Sequence, residues 1–368
     1  MKIVLAFDSY KECMSAIEAC QCAKSVLKNH DVIMCPMSDG GEGTRDVVVL
    51  ACNGVIKDYY VKDVFLNDAY VGVGIVGDCA IIESAKVCGL ELTQGIRNPH
   101  RTSTYGLGEL IIKLMDEGIR KIVVTLGGSA TNDGGIGMLS ALGVSFYNQN
   151  KERVMMMDDL KDIDHIDITH IDKRIYDIDL KVLCDVDNPL CGETGATYTY
   201  GRQKGLLEHE LLSIDEAMRH YASLSYHLLG SDDKKAGCGA AGGLGFAFCY
   251  YLKAKLVPGL KTISELLKLE DHIQDCDVIF VGEGMMDRSS LFGKSPYGVL
   301  NIAKQYNKKV YAYVGKVNDY DLLKDIGFQD IFEISKGIDL QTALKNGQYY
   351  LKKAIIDNIK GIEKDVYR

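Results

Sequence analysis

No two cysteines in this 368-residue chain are spaced as CxxC, although there are twelve of them. Zinc and redox sites built on such pairs are therefore excluded. Cys20 and Cys22 stand two apart on a helical pattern, a poor spacing for shared metal ligation, while Cys35, Cys184 and Cys276 sit in or beside apolar strands as small core hydrophobes do. The eight histidines form neither HxxxH nor HExxH, and His165 and His170 fall in the polar stretch "DDLKDIDHIDITHIDKR", read as a solvated face. There is no excess of positive charge: 42 lysines and arginines against 51 acidic residues leave a net charge of −9. Nothing then favours a nucleic-acid backbone as partner, though a small anion in a locally positive cleft stays compatible. No apolar run approaches a membrane span, and "MKIVLAFDSYKE" is too short an apolar start for a signal peptide. With unpaired thiols, these absences predict a cytoplasmic protein without a membrane partner. Low-complexity segments, proline-rich linkers and internal repeats are also missing.

What is present suits two domains, each with its own core, since 47% of the residues are apolar. Short apolar runs recur at 2–7, 32–37, 71–76, 79–84, 121–126, 180–186, 277–282, 309–315 and 330–335. Most are continuous rather than alternating, as strands buried on both faces are. Helical patterns lie between them. In "SAIEACQCAKSVL" Ser15 and Glu18 form a capping box, with Ile17, Cys20, Ala23 and Leu27 on one stripe; "GELIIKLMDEG" and "SPYGVLNIAKQY" are two more. Alternating βα units predict α/β architecture with mostly parallel sheet, and a hairpin over 66–84 makes one sheet mixed. The last third repeats the βαβ style of the start. The expected layout is a discontinuous domain, 1–65 plus 265–368, and an inserted one, 66–264, with a cleft between them.

In parallel α/β sheets ligands bind beyond the carboxyl ends of the strands. Those ends carry "DSYKE" with Asp8 and Lys11, "SDGGEGT" with Asp39 and Glu42, and "GGSATNDGG" with Asp133. Further on come "CDVDNPL" with Asp185 and Asp187, then "GEGMMDRSSLFGKSP" with Glu283, Asp287 and Lys294. Glycine lets a backbone approach a ligand and offer its N–H groups, and a following helix adds its positive end. That is what a phosphate needs. Carboxylates beside it imply a divalent cation, and oxygen ligands suit Mg²⁺ shared with substrate phosphates. The loops thus predict magnesium-dependent phosphoryl transfer, with a nucleotide phosphate against the 127–137 turn.

Three look-alikes fail on context. "GCGAAG" (237–242) matches GxGxxG but follows a charged loop instead of a strand, so nicotinamide binding is not expected; it reads as a glycine-rich turn entering a helix. "RSSLFGKS" ends like a P-loop, but Arg288 stands where the first glycine is required; it reads as a helix entrance with Ser295 as N-cap and Pro296 in the first turn. "GGSAT" lacks the closing glycine of a nucleophile elbow.

Read in order, "AFDSYKE", "PMSDGGEGT", "AIIESAKVCGL", "RNPHRTSTYGLGELI", "LGGSATNDGGIGMLSALG", "CDVDNPLCGETGAT", "YGRQKG", "GCGAAGGLGFAF" and "VGEGMMDRSSLFGKSPYGV" resemble the bacterial class I glycerate kinase family over almost the whole length. The resemblance implies a two-domain α/β fold, a Rossmann-like, mostly parallel domain plus a second α/β domain with a mixed sheet and a cleft between. It implies ATP- and Mg²⁺-dependent phosphorylation of D-glycerate to 2-phosphoglycerate, with ATP and D-glycerate as partners, and allows a homodimer. The alternatives are another small hydroxy acid, or the 3-hydroxyl. Two departures bear on this. The family's Asp-Ser-Phe-Lys-Gly has Tyr10 and Glu12 here, and its Gly-Arg-Leu-Asp reads Gly284, Met285, Met286, Asp287.

For phosphoryl transfer at these loops, the catalytic candidates are Asp187 as the proton acceptor, Asp185 and Lys11. Arg101, Lys204, Lys294, Ser9 and Asp8 are candidates for substrate. Gly127, Gly128, Ser129, Asp133, Gly134, Gly135 and Gly284 are candidates for the nucleotide, and Asp39, Asp133 and Asp185 for the metal. A non-catalytic sensor and a nicotinamide oxidoreductase are the competing classes.

Overall fold

The computed structural model describes residues 1–291 and 294–367; Phe292 and Gly293 of the "RSSLFGKS" segment, and Arg368, lie outside the described residues. The strands are β1 (Lys2–Phe7), β2 (Asp31–Met34), β3 (Val55–Lys62), β4 (Asp68–Val76), β5 (Cys79–Glu83), β6 (Lys121–Thr125), β7 (Ser145–Tyr147), β8 (Arg153–Val154), β9 (His165–Asp167), β10 (Asp179–Leu183), β11 (Lys255–Val257), β12 (Val278–Met286), β13 (Lys309–Val317) and β14 (Asp330–Glu333). The chain divides into two compact units. The first comprises Met1–Asp39, Asp46–Asn53 and Leu260–Arg368; the second comprises Gly40–Arg45 and Gly54–Gly259.

The first unit holds a five-stranded sheet in the order β14-β13-β12-β1-β2, with every pair parallel. β1 is "KIVLAF", buried from Ile3 to Phe7, so its unbroken apolar run serves both faces of the sheet. Helices Ala16–Val26 and Gly347–Val366 cover one face, and their Ala19, Ala23, Leu351 and Ile355 pack with Ile3, Leu5, Phe7, Phe280 and Tyr313. The capping box forms as read: Ser15 Oγ accepts from Glu18 N–H at 3.2 Å, and Glu18 Oε2 accepts from Ser15 N–H at 2.8 Å. Numbered within the unit, the strand order is 2-1-3-4-5, and its topological switch point lies between β1 and β12.

The second unit holds a six-stranded mixed sheet, β11-β10-β6-β5-β4-β3. β5, β6, β10 and β11 are parallel; β4 and β3 run antiparallel. Leu110, Leu114, Val124, Leu139, Phe146, Tyr221 and Phe246 lie in its core. A small antiparallel sheet, β8-β7-β9, accompanies it.

All nine apolar runs contain strands, and 66–84 contains the β4–β5 hairpin. β3 escapes the sequence reading because "VIKDYYVK" is an edge strand with four exposed residues at its start, so it carries no continuous apolar run. It pairs along its whole length with β4, which places residues 54–65 with the second unit and not with the first. β7, β8 and β9 have two or three residues each, too few for a periodic signal.

Candidate active site

Each unit carries a cluster of the residues named by the sequence, at carboxyl ends of its parallel strands.

In the second unit the cluster is the turn after β6. Leu126 N–H makes the last sheet bond, to Leu183 O at 3.3 Å. The chain is then clipped to the segment after β5: Gly128 O accepts from Leu90 N–H, and Ala130 N–H donates to Cys88 O, both at 2.8 Å. The N–H groups of Gly127, Gly128 and Ser129 have no acceptor among the described residues. Gly128 is left-handed at φ +63°, and a Cβ on Gly127 would come no closer than 3.5 Å to Gly41 Cα. This is an open concavity of successive backbone donors, a geometry that receives anions.

Gly134 and Gly135 are placed differently, against the core. Both are buried and left-handed, at φ +64° and +79°. A Cβ on Gly134 would lie 2.9 Å from the Tyr221 ring, and one on Gly135 would lie 2.5 Å from Ala247 Cβ. They are glycine because backbone and core press together there. The "GCGAAGG" segment is what presses: Gly242 O accepts from Gly134 N–H at 2.9 Å, and Ala241, Gly242 and Gly243 all take positive φ to bring it in.

Asp133, expected at the nucleotide and the metal, is fully buried. Its Oδ2 accepts from Thr104 N–H at 3.0 Å and Thr104 Oγ at 2.7 Å, and its Oδ1 from Gly135 N–H at 3.0 Å. Burial raises its carboxyl pKa, and these donors oppose the rise. It ties the turn to the helix Tyr105–Asp116 and presents nothing outward. Thr104, which also accepts from Met138 N–H at 2.8 Å, was missed by the sequence reading; a threonine ahead of a helix gives no distinctive signal.

Lys204 ends the helix Ala196–Lys204 and is 2% exposed. Its Nζ donates to Ser129 Oγ at 3.1 Å and to Thr131 O at 2.7 Å, so it lies behind the turn. Burial lowers its pKa to about 8, against the opposing pull of the Cys88 thiol and Asp133.

Asp185 and Asp187 are exposed on the loop after β10. Asp185 Oδ1 accepts from Gly259 N–H at 2.9 Å. Asn188 braces the loop, donating to Thr194 O at 2.7 Å and accepting from Tyr200 Oη at 2.6 Å. Arg101 is exposed at the end of the short turn Pro99–Arg101. That turn is anchored by His100, which contacts Asp158 Oδ1 at 2.6 Å and Glu210 Oε1 at 3.1 Å.

In the first unit the cluster stands at the switch point. Asp8 follows β1, and its N–H donates to Gly282 O of β12 at 2.9 Å. Its carboxylate accepts from Ser9 N–H and from Ser295 Oγ, both at 2.6 Å. Ser295 is therefore not the N-cap; Lys294 holds that position, and the serine hydroxyl is turned to Asp8. Burial pushes the Asp8 carboxyl up to about 6, with Ser295 opposing and Asp39 and Glu283 adding to the rise. Glu283, 8% exposed, accepts from Ser290 Oγ at 2.9 Å and pairs with Lys294 Nζ at 3.2 Å. Its pKa is raised by burial against the Lys294 charge. Glu283 was read as a strand-end acid but not as a site residue; its burial was not legible. Gly284 is partly exposed, and a Cβ there would lie 3.5 Å from Lys11 N. Lys11 and Asp39 are exposed and Ser9 is partly so.

Two of the departures from the family pattern, Tyr10 and Glu12, have a local structural setting. Tyr10 is buried and its hydroxyl donates to Tyr313 O at 2.6 Å, so the added oxygen is satisfied. Glu12 sits at φ +61°, a conformation that explains the family's glycine and that a glutamate holds under strain. Met285 is exposed, with Asn318 Nδ2 3.9 Å from its sulfur.

Among the described residues no group of three or more His, Cys, Asp or Glu side chains is placed to hold a metal ion. The hard, exposed carboxylates of Asp39 in the first unit and of Asp185 in the second each have the chemistry that Mg²⁺ takes, since it accepts a single protein carboxylate and completes its shell with phosphates and water. No helix among the described residues is long and apolar enough to cross a membrane.

The comparisons with known proteins agree. A profile of the Glycerate kinase family matches residues 3–362. A glycerate kinase of Halalkalibacterium halodurans is 38% identical over 363 residues, covering 96% of each chain. A glycerate 2-kinase of Escherichia coli is 37% identical over 359 residues, covering 95% of this chain and 94% of that one. The crystal structure of a candidate glycerate kinase 2 from Salmonella typhimurium LT2 superposes with a TM-score of 0.86 at 35% identity, covering 99% of both chains. With strand-end clusters suited to phosphoryl transfer and a match over nearly its whole length, the chain belongs to the glycerate kinase family, phosphotransferases with an alcohol group as acceptor.

Proposed function

We propose that this enzyme transfers the γ-phosphoryl group of ATP, supplied with Mg²⁺, to the 2-hydroxyl of D-glycerate, giving 2-phosphoglycerate and ADP. The observation that carries the reading is the turn after β6, with successive N–H groups of Gly127, Gly128 and Ser129 that have no acceptor among the described residues. Phosphoryl transfer asks chiefly for positioning and charge neutralisation, and such a turn supplies both. The choice of the 2-hydroxyl is supported by the name of the Escherichia coli relative. The free cysteines suit a reducing compartment, the cytoplasm.

Asp185 in the second unit, and Asp39 in the first, are each candidates to hold magnesium, which when bound would neutralise phosphate charge. Lys11 and Lys294 in the first unit, and Arg101 in the second, are each candidate cations for the glycerate carboxylate, and Ser9 and Gly284 line the end of β1 and β12. The substrate hydroxyl oxygen forms a bond to the γ-phosphorus as the bond to the β–γ bridging oxygen breaks. ADP leaves, and the hydroxyl proton passes to a carboxylate. Asp187, exposed beside Asp185, is the first choice for that base. A second reading gives the role to Asp8, because its carboxyl is already raised to about 6 and so holds a proton well enough to matter near neutrality. Substituting the true base by asparagine lowers kcat by roughly 10²–10⁴-fold; the other variant keeps most of its turnover.

The test is the product. Incubated with ATP, Mg²⁺ and D-glycerate, the enzyme should yield a compound that enolase dehydrates without a mutase, and chelating the magnesium should stop turnover reversibly. A product that needs the mutase would show transfer to the 3-hydroxyl. Turnover on glycolate or lactate in preference to glycerate would show another substrate.

A further inference from the structure

We infer that Lys204 is a positioning residue of the nucleotide site: from beneath the turn it fixes Ser129 and Thr131 and sets a buried positive charge behind the N–H groups that receive phosphate. The inference rests on reading the turn as a phosphate cradle. Three observations carry it. Lys204 is 2% exposed, so its ammonium lies beneath the surface that the turn presents. Both of its hydrogen bonds, to Ser129 Oγ and Thr131 O, go to atoms of the turn itself. Finally, no carboxylate lies within ion-pair distance of Nζ among the described residues. The charged and titratable groups facing it are Asp133, whose oxygens are engaged by Thr104 and Gly135, and the Cys88 thiol, which burial pushes up to about 12.

A lysine buried without an ion pair is costly, and a methionine would fill the same space without the charge. Simple packing therefore does not account for it. A polyanion bound across the turn does, because in a poorly polarisable interior the ammonium acts strongly on phosphate a few ångströms away. The helix Ala196–Lys204 delivers the group, and Gly205 at φ +112° lets the chain leave immediately after it, against the Arg97 carbonyl.

The test uses the full-length enzyme, Lys204→Met, and β,γ-imido-ATP with Mg²⁺ as the calorimetric probe. The expected result is binding weakened by roughly tenfold or more, a KM for D-glycerate within about twofold of wild type, and a thermal midpoint at pH 7 equal to or above wild type. That opposition of affinity and stability is what a merely structural lysine would not give. Unchanged nucleotide affinity overturns the inference, as does a loss of affinity matched by a loss of stability, or a change confined to glycerate. If the variant does not fold, Lys204→Gln, which removes the charge and keeps a hydrogen-bond donor, goes through the same titration, and unchanged nucleotide affinity in it overturns the inference. An enzyme that binds the probe in this way yet leaves glycerate unphosphorylated would sink the proposed reaction and spare this inference; one that does not bind it sinks both.

Discussion

Single residues show where burial, not identity, decides a role. Asp133 and Lys204 both stood in motifs that implied ligand contact, and both proved to be inside, one bonded to Thr104 and Gly135 and the other to Ser129 and Thr131. Nothing in a one-letter code marks which side of a turn a side chain takes. Glu12 gives the converse case, in which a departure from the family pattern pointed to a backbone conformation. Glu12→Gly should raise stability by about 1 kcal/mol in chemical denaturation, by relieving the left-handed strain at φ +61°; a loss of stability would mean that the glutamate side chain earns its place through contacts. Asp8 has a pH signature. Its folded pKa of about 6 lies above the ordinary 3.8, so the folded state binds more protons in between, and stability falls as pH rises through that window. Asp8→Asn should remove that slope and stabilise the enzyme at pH 7 by roughly 1–3 kcal/mol. If Asp8 is the base, the same variant loses turnover and the acid limb of kcat near pH 6; retained turnover leaves the role with Asp187.

At the scale of elements, the central strands were legible because their apolar runs are continuous, as in β1, β6 and β12. Strand β3 and the small β8-β7-β9 sheet were not, since an edge strand open to solvent and segments of two or three residues leave no period to detect. The glycine-rich turn was read as a single feature and is two. Its first half, Gly127 and Gly128, stays open; its second half, Gly134 and Gly135, is pressed by Tyr221 and Ala247. Gly127→Ala should therefore fold normally and raise the KM for ATP several-fold, whereas Gly134→Ala should lose roughly 3 kcal/mol or fail to fold. Thermal melts and ATP saturation curves on the two variants check this. A stable, fully active Gly134→Ala enzyme would refute the packing role, and a Gly127→Ala enzyme with unchanged KM would refute the ligand role.

For the whole molecule, the alternation of strands and helices was enough to expect α/β architecture with mostly parallel sheet, and the hairpin over 66–84 to expect a mixed one, because each follows from local pattern. The course of the chain between units was harder. Gly40–Arg45 belongs to the second unit and Asp46–Asn53 to the first, an exchange made within a few residues and without any proline or charge run to announce it. The proposed chemistry rests on reading the turn after β6 as the place where nucleotide phosphate is held. Amide chemical shifts read this most directly, in a titration of the isotope-labelled enzyme with Mg²⁺ and β,γ-imido-ATP. The account predicts large shifts at Gly127, Gly128 and Ser129, with smaller ones at the buried Gly134 and Gly135; saturation of the nucleotide with those three amides unmoved would contradict it.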